Sequence, residues 1–233
     1  MSAINPERKQ FSIVLVGTFN PTMFQPEWFG RNDVISAEEV EFARNKSNAL
    51  PTIITPGLTL FRTSQLSIRI EEDRFQVVAE KEPLLTIKDF ARKTFEKLGG
   101  LTITAFGYNY SAHYKFVTEA ALNDFADKVA PKKYWISLLG EDISGSDRKG
   151  GLGSLQMVKH KEDNKGQVSI VLQGSFHVHP GIFLACNDHT NINETDSAAD
   201  IVMEKIEQSF NESFLSMASI QNTLIAETIK CVE

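Results

Sequence analysis

The sequence is poor in cysteine, with Cys186 and Cys231 as its two thiols. A fold held together by disulfides needs more of them, so a disulfide framework is not expected. The sequence also has no apolar run near the roughly 18 residues that a membrane-spanning helix requires. Residues 1–10 are polar and lack the apolar core of a signal peptide. These absences predict a cytoplasmic protein without a membrane partner.

Common catalytic and nucleotide-binding motifs are absent as well. The sequence has no G-x-S-x-G, H-E-x-x-H or C-x-x-C pattern. Gly145 and Gly150 have the spacing of a phosphate-binding loop, but Gly151 and Leu152 follow where the lysine and the hydroxyl residue belong. The commonest hydrolase, zinc-peptidase, redox and nucleotide-binding classes are therefore not indicated, and no cofactor is predicted.

Acidic residues outnumber basic ones, 30 against 24, and the excess is concentrated near the end of the chain. Residues 187–233 contain nine acidic side chains and two basic ones, Lys205 and Lys230. An acidic segment repels nucleic-acid phosphates and attracts a basic partner. A solvated helix face has the same composition. We expect no nucleic-acid partner.

Patterns of strands and helices recur in the same order along the chain. Residues 58–98 contain the strand-like runs LTLFRT, LSIRI and RFQVVAE, followed by the helical TIKDFARKTFEKL. From residue 152 the order repeats as LGSLQMVKHK, QVSIVLQGSF and IFLACND, followed by the helical DSAADIVMEKIEQSFNESF. The recurrence predicts an α+β fold of two related halves, each a mainly antiparallel sheet with a packed helix. The predicted halves are residues 1–116 and 117–233, packed as one unit.

Local signals define individual elements. Ser36 and Glu39 have the spacing of a capping box, which predicts a helix over residues 37–44. Thr118 caps another predicted helix, which ends before Pro131. Strands are predicted over residues 11–19, 101–114 and 134–140, a helix after Thr86, and loops over residues 46–57 and 140–154. The glycine-rich second loop is either a hairpin connection or a mobile lid.

The last part of the chain has the apolar spacing of a long helix. The pattern begins at Asp196, and an unbroken helix would be about 50 Å long at roughly 1.5 Å per residue. Such a helix must kink, break or project from a domain of this size. Its weakly charged stretch, residues 216–229, predicts burial against the body or against a second subunit. The candidate homodimer contacts are Met217, Ile220 and Leu224, with packing inside the chain as the alternative.

A group of potential metal ligands lies near residue 180, namely His177, His179, Cys186, Asp188 and His189. On a strand, His177 and His179 would share one face. A two-residue turn at Pro180 and Gly181 would then place Asp188 roughly 13 Å from His177, since a strand rises about 3.3 Å per residue. This spacing opposes a single site. His177 and His179 are left as the candidate ligands of a divalent metal, with surface or partly buried polar residues as the alternative.

Aromatic residues form two groups that fit either a core or a binding surface. The first group lies beside two prolines and consists of Met23, Phe24, Trp28 and Phe29. The second group alternates along one predicted strand, and so shares one face, and consists of Tyr108, Tyr110 and Tyr114.

Three segments carry a resemblance to a known family: RFQVVAE before an F-x-x-x-x-F helix, the aromatic GYNY strand, and FLACNDHTN followed by the long helix through DIVMEKIEQSFNESF. Their order resembles that of a sporadically distributed prokaryotic family of uncharacterised function. The resemblance covers about two-thirds of the chain. It implies an α+β architecture of two related halves and supplies no catalytic residue.

The sequence therefore predicts a non-enzymatic cytoplasmic binding or assembly protein. Its partner is either a second copy, bound through the C-terminal helix, or another protein. A metal-assisted hydrolase centred on His177 and His179 is one alternative. A protein that binds a small ligand between the two halves, covered by residues 140–154, is the other.

Overall fold

A computed structural model of the protein describes residues 5–45, 51–79, 81, 83, 85–98, 101–145, 147–192 and 198–230. Its centre is a single sheet in which every neighbouring pair of strands is antiparallel. In chain order the nine strands are β1 (Arg8–Gly17), β2 (Ile53–Thr55), β3 (Leu58–Arg62), β4 (Leu66–Glu71), β5 (Arg74–Ala79), β6 (Ile103–Lys115), β7 (Ser154–His160), β8 (Gly166–Gly174) and β9 (Gly181–Asn191).

Helices complete the fold. In chain order they are α1 (Pro26–Arg31), α2 (Ala37–Arg44), α3 (Leu85–Glu96), α4 (Glu119–Val129), α5 (Ile136–Leu139) and α6 (Ala198–Lys230). The predicted α+β class, the antiparallel sheet and the long C-terminal helix are confirmed. The predicted helix starts are confirmed as well: the Ser36 hydroxyl accepts a hydrogen bond from the Glu39 amide at 3.3 Å, and that of Thr118 accepts one from the Ala121 amide at 3.1 Å.

The order of the strands across the sheet is β2-β3-β4-β5-β1-β6-β9-β8-β7. The paired strands β1 and β6 occupy the middle of the sheet. On its other side β1 pairs with β5, the last strand of the run β2–β5, and β6 pairs with β9, the last strand of the run β7–β9. The sheet crosses the predicted boundary at residues 116 and 117 without interruption, because β6 lies before the boundary and β9 lies after it.

The core lies on one face of the sheet. Phe11, Ile13 and Leu15 of β1 are fully buried there, since alternate residues of a strand point to the same side. Tyr108 and Tyr110 of β6 lie level with them and are also buried. The rings of these two tyrosines pack edge to face against Phe210 and Phe214 of α6, which makes the tyrosine group part of the core. Burial of each large side chain stabilises the fold by about 1.5–3 kcal/mol.

The first aromatic group belongs to the same core. Phe24 and Phe29 are fully buried, and the Phe24 ring lies 5.6 Å from that of Phe75 on β5. Trp28 is partly buried, and its ring packs edge to face on Phe29 with 5.0 Å between centroids. These side chains pack α1 against the sheet. The first aromatic group therefore belongs to the core and does not form an exposed binding surface.

The last helix, α6, runs uninterrupted over Ala198–Lys230 and packs against α3, α4, β6 and β9. Of the expected alternatives, a kink, a break or projection from the domain, the break is absent. Val202, Ile206 and Phe210 are buried on its inner side. No helix within the described part of the chain combines the length and the hydropathy that crossing a bilayer requires.

Two predicted segments have a different structure. Residues 134–140 were expected to form a strand, but Lys132–Tyr134 is a 3₁₀ turn that leads into α5. A strand needs a neighbour to satisfy its backbone groups, and the short helical turns satisfy theirs locally, with Leu139 and Gly140 donating to the carbonyls of Trp135 and Ile136. Within the predicted loop 46–57, Ile53–Thr55 forms β2 because it pairs with β3, while residues 46–50 lie outside the described residues.

A buried glutamine joins α6 to the middle of the sheet. The Gln221 side chain is fully buried, and its Nε2 atom donates to the carbonyls of Tyr110 and Leu184, each at 3.1 Å. Its Oε1 atom accepts from the Tyr114 hydroxyl at 3.2 Å. One side chain therefore contacts both β6 and β9.

Replacement of this glutamine is expected to destabilise the protein. Gln221→Met keeps a similar volume but leaves the buried Tyr114 hydroxyl without its acceptor, which lowers the free energy of unfolding by about 1–3 kcal/mol. Asn222→Ala on the exposed side of the same helix is the control. Urea unfolding followed by circular dichroism measures both, and equal stability of Gln221→Met and the unsubstituted protein would contradict this account.

Candidate functional site

The face of the sheet opposite the core carries mostly polar side chains, with Val14, Val16 and Phe183 among the exceptions. We call it the open face and define it by the side chains at positions 8, 10, 12, 14 and 16 of β1 and by those level with them on the neighbouring strands. One row across it joins Ser12, Asn109, Asn187 and Ser169 on four consecutive strands. Asn187 Nδ2 donates to Asn109 Oδ1 at 2.6 Å. Helices α3 and α6 pack on the other side of the sheet, so these groups face away from the core.

Two adjoining grooves follow the middle of the open face. The first has a volume of about 490 Å³ and is lined by residues that include Ser12, Gln76, Asn109, Asn187 and His189. The second has a volume of about 770 Å³, lies at the start of β1, and is lined by residues that include Arg8, His113, Gln173 and His177. Gln10, Ser111 and Phe183 line both grooves. A ligand therefore has room along β1 and β6.

The open face carries positive charge. Its strand positions include four arginines and one lysine against one glutamate, and these are Arg8, Arg62, Arg69, Arg74, Lys115 and Glu71. Arg69 and Glu71 pair at 2.6 Å, which raises the pKa of the arginine and lowers that of the glutamate through their hydrogen bond. The chain as a whole has a formal net charge of −6. The open face thus differs in sign from the rest of the molecule.

The helical side carries the acidic excess. Three glutamates of α2 and three of α6 contribute to it, namely Glu38, Glu39, Glu41, Glu204, Glu207 and Glu212. Some of this charge is paired, as Glu207 lies 3.1 Å from the amine of Lys88. Of the predicted acidic segment, Glu204, Glu207 and Glu212 therefore lie on α6, on the side of the sheet opposite the grooves.

Two histidines and Arg8 form a cluster at the second groove. The rings of His113 and His177 are perpendicular, with centroids 4.7 Å apart. The Arg8 guanidinium donates to Nδ1 of His177 at 3.2 Å. Burial, followed by the charges of His177 and Arg8, lowers the pKa of His113. The guanidinium of Arg8 and the imidazoles of His113 and His177 therefore lie together at the second groove.

The hydroxyl of Ser175 determines how His113 is protonated. Its oxygen accepts from the backbone amides of His177 and Val178, at 3.1 Å and 3.0 Å. A serine hydroxyl has two lone pairs and one hydrogen, so the hydrogen is left for Nδ1 of His113 at 2.8 Å. His113 is then neutral with its hydrogen on Nε2, and Nδ1 of His177 is likewise occupied as an acceptor.

The two-residue turn on which the predicted spacing of His177 and His179 depends is not formed. The last pair between β8 and β9 is Gly174 with Ile182, so the residues between them form a longer loop instead of a two-residue turn. Neither histidine lies on a strand. The loop directs His177 to Arg8, whereas Nε2 of His179 lies 2.6 Å from a Glu119 carboxylate oxygen, with 82% of its side chain exposed. The length of the turn decides which residues of β8 and β9 pair, and the sequence Pro180-Gly181 does not by itself determine that length.

The other predicted ligands are divided between the two faces of β9. Cys186 is fully buried in the core, and burial raises the pKa of its thiol. Asp188 also points to the helices, where it accepts from Ser213 at 2.9 Å and pairs with Lys161 at 2.5 Å. His189 lies on the open face. Among the described residues, no three His, Cys, Asp or Glu side chains are placed to hold a metal ion. The metal site remains a prediction.

The candidate interface residues of α6 lie against the protein's own core. Met217 is 1% exposed, and Ile220 and Leu224 are partly buried and pack against the same core. Their position agrees with packing inside the chain. On the outer side of the helix, Leu215 is 64% exposed.

A pair of substitutions on α6 separates packing from association. We expect Met217→Ala to lower the free energy of unfolding by about 2–5 kcal/mol because it leaves a cavity, and to leave the number of subunits unchanged. Leu215→Ala is the control and is expected to change stability by less than about 0.5 kcal/mol. Urea unfolding and light scattering are the measurements. A dimer that dissociates in Met217→Ala, with stability of the monomer retained, would favour the interface.

The glycine-rich segment 140–154 is attached to α4. Both guanidinium NH2 groups of Arg148 donate to the Asp127 carboxylate at 3.0 Å, and Lys132 lies 3.0 Å from the same group. Burial alone would raise the pKa of Asp127, but Arg148 and Lys132 outweigh it and lower the pKa. None of the segment's described residues lines either groove of the open face. The segment contains the 3₁₀ turn Glu141–Ile143 and joins α5 to β7, so it is not the hairpin connection between two strands that was considered.

The pH dependence of stability is expected to reveal this attachment. Because the pKa of Asp127 is lower in the folded state, its stabilising effect is present above the unfolded value of about 3.9 and is lost as the pH falls below it. Asp127→Asn should therefore be less stable than the unsubstituted protein by about 1–3 kcal/mol at pH 7, and the difference should shrink as the pH falls from about 4 towards the lowered pKa of the folded state. Asp124→Asn, exposed on the same helix, is the control. Urea titrations at pH 7 and near pH 3 provide the comparison, and a difference near pH 3 as large as that at pH 7 would contradict this account.

The open face was not identified from the sequence. A signal exists in β6, where small and amide residues alternate with tyrosines in GYNYS. The tyrosines mark the core side, so Gly107, Asn109 and Ser111 mark the opposite side. The charge was less visible, since Arg8, Arg69 and Arg74 belong to three separate strands. Only the order of the strands places them on one surface.

A scan against protein-family models and a search of curated proteins each found no match to this chain.

Proposed function

We propose that this is a non-enzymatic, cytoplasmic binding protein, and that it binds an acidic surface of a partner protein on its open face. The observation that carries the proposal is a polar, positively charged sheet face on a chain of formal net charge −6. Complementary charge speeds association and selects the partner. An acidic protein surface is therefore the chemistry that fits.

The side chains of the open face are suited to protein contact. Asn109 and Asn187 are partly exposed, and Gln10 is exposed, so their amides are within reach of a partner. Arginine is enriched at protein interfaces because its guanidinium forms several hydrogen bonds and packs flat on other groups. Arg69 and Arg74 lie on β4 and β5 beside the first groove. Their charges would be the main anchors.

The hydrolase alternative receives less support. Arg8 brings a positive charge against His177, which opposes the binding of a metal cation there. The Nε2 atom of His179 lies 2.6 Å from a carboxylate oxygen of Glu119 and so is directed to a different partner. The small-ligand alternative is compatible with the grooves of the open face. We place such a ligand there instead of between two halves.

We propose further that the chain consists of two related halves. Its support is the strand order: β3-β4-β5-β1 on one side of the middle and β7-β8-β9-β6 on the other follow the same scheme. In the first half β1 pairs with β5, the last of the strands β3–β5, and helix α3 follows β5 in the chain. In the second half β6 pairs with β9, the last of the strands β7–β9, and helix α6 follows β9. This scheme assigns β6 to the second half, unlike a division at residues 116 and 117.

The binding proposal is tested with a defined acidic probe. A fluorescent poly-glutamate peptide is titrated with the protein at low salt, and its anisotropy is recorded. We expect Arg69→Gln combined with Arg74→Gln to weaken binding by about tenfold or more, because two charges leave the open face. The control combines Arg31→Gln with Lys97→Gln, which removes the same charge from the helical side.

Other outcomes would change the proposal. An equal loss in both double variants would mean that only net charge matters and would reject the open face. Tighter binding of a single-stranded oligonucleotide than of the peptide would replace the protein partner with nucleic acid. Self-association in sedimentation, lost in the open-face variant alone, would identify the partner as the acidic helical side of a second copy.

A further inference from the structure

The second groove ends in a group of positively charged and hydrogen-bonding side chains. Arg8, Lys9 and Lys81 line it against a single acidic residue, Glu7. His113 and His177 lie beside Arg8. We propose that this end of the groove binds a small oxyanion of the phosphate or sulfate type, held by Arg8 with the two histidines. The inference rests on the proposed function, since it names the chemistry that one part of the open face recognises.

The charge at this place favours an anion over a metal ion. Three cationic side chains outnumber the one carboxylate among the residues that line the groove. Guanidinium groups bind phosphate and sulfate oxygens through paired, charge-assisted hydrogen bonds. Gln10 and Ser111 line the same groove and add neutral donors.

The hydrogen bonds inside the cluster leave suitable donors. Nδ1 of His113 accepts from Ser175, and Nδ1 of His177 accepts from Arg8. In a neutral imidazole the other nitrogen then carries the hydrogen. Each ring is left with an Nε2–H group that can donate to an oxyanion. Ser175 thus acts as a positioning residue, since it fixes the tautomer of His113 and also binds the loop that carries His177.

Binding of an oxyanion is expected to be linked to the proton on His113. Without an anion, burial and the nearby His177 and Arg8 keep the pKa of this ring low. A bound negative charge favours the protonated ring and so raises the pKa of His113; the added proton goes to Nδ1, and the Ser175 hydroxyl must then turn its own hydrogen away from that atom. Affinity should therefore rise as the pH falls, by at most about tenfold per pH unit for each proton taken up. The other charged residues that line the groove are Glu7, Lys9 and Lys81.

The experiment is a sulfate titration followed by NMR of the histidine rings, at pH 6 and pH 8 and at constant ionic strength. Sulfate keeps its charge over this range, so a change in affinity reports on the protein. We expect saturable shifts of His113 and His177, tighter binding at pH 6, and a higher pKa of His113 with sulfate than without. Absence of saturation, or saturation without shifts of the His113 and His177 rings, would overturn the proposal.

Matched variants locate the site. Arg8→Gln is expected to weaken sulfate binding by about tenfold or more, because a charge-assisted contact is lost. The control is Lys159→Gln, which removes the same charge from a different basic pocket of about 650 Å³ that is lined by Lys159, Lys161 and Lys205. His177→Gln, in the loop, is the second site variant. Weakening by Lys159→Gln, with no effect of Arg8→Gln or His177→Gln, would reject the site.

Two further probes identify the source of the anion. Inorganic phosphate represents a free ligand, and a phosphoserine peptide, compared with its unphosphorylated form, represents a group carried by a partner. Tighter binding of the phosphopeptide than of both other probes would assign the oxyanion to the partner protein. If sulfate and phosphate bind while poly-glutamate does not, the oxyanion site stands and the acidic-surface proposal fails. If poly-glutamate binds but no oxyanion does, the reverse holds.

Discussion

The pairing of β1 with β6 joins the two sides of the sheet, and the rest of the structure is arranged around it. The pairing extends from Arg8 with His113 to Gly17 with Ile103. At its end a side chain on residue 17 would place its Cβ atom 2.2 Å from the Thr102 carbonyl oxygen, so only glycine allows the strands to approach. The strands β2–β5 and β7–β9 pair with their neighbours in sequence, whereas β1 and β6 are far apart in the chain. Their pairing closes a long loop, and the conformational entropy lost in closing it opposes folding.

This central pair also gives the protein two different surfaces. On one side the pair presents Phe11 and Tyr108 to α6, and on the other it presents Gln10 and Ser111 to the exterior. Antiparallel sheets commonly have one packed and one solvated face. Here the separation includes charge, because the helices on the packed side carry much of the acid and the strands supply arginines to the solvated side. Binding specificity would follow from the fold without any dedicated loop.

Periodicity in the sequence was sufficient for most of the fold. The helix caps at Ser36 and Thr118, the strand around Phe11 and the apolar stripe of α6 depend on neighbours in sequence, and each was predicted correctly. Residues 134–140 and the loop around His177 were not, because their structure depends on which strand lies beside them and on how long a turn is. The cluster of Arg8, His113 and His177 joins positions that are far apart in sequence. No local pattern links them. The sequence therefore suggested a different pair of ligands, His177 and His179, which are separated by a single residue.

The burial of Cys186 has a consequence for how the protein opens. The thiol lies between the sheet and α6, 3.8 Å from Nε2 of Gln221, and burial keeps it in the less reactive protonated form. A thiol reagent therefore reaches it when the helix moves away from β6 and β9. With Cys231, which lies outside the described residues, replaced by serine, the rate of labelling measures how often this interface separates. The chain thus contains its own probe of local unfolding at the seam between helix and sheet.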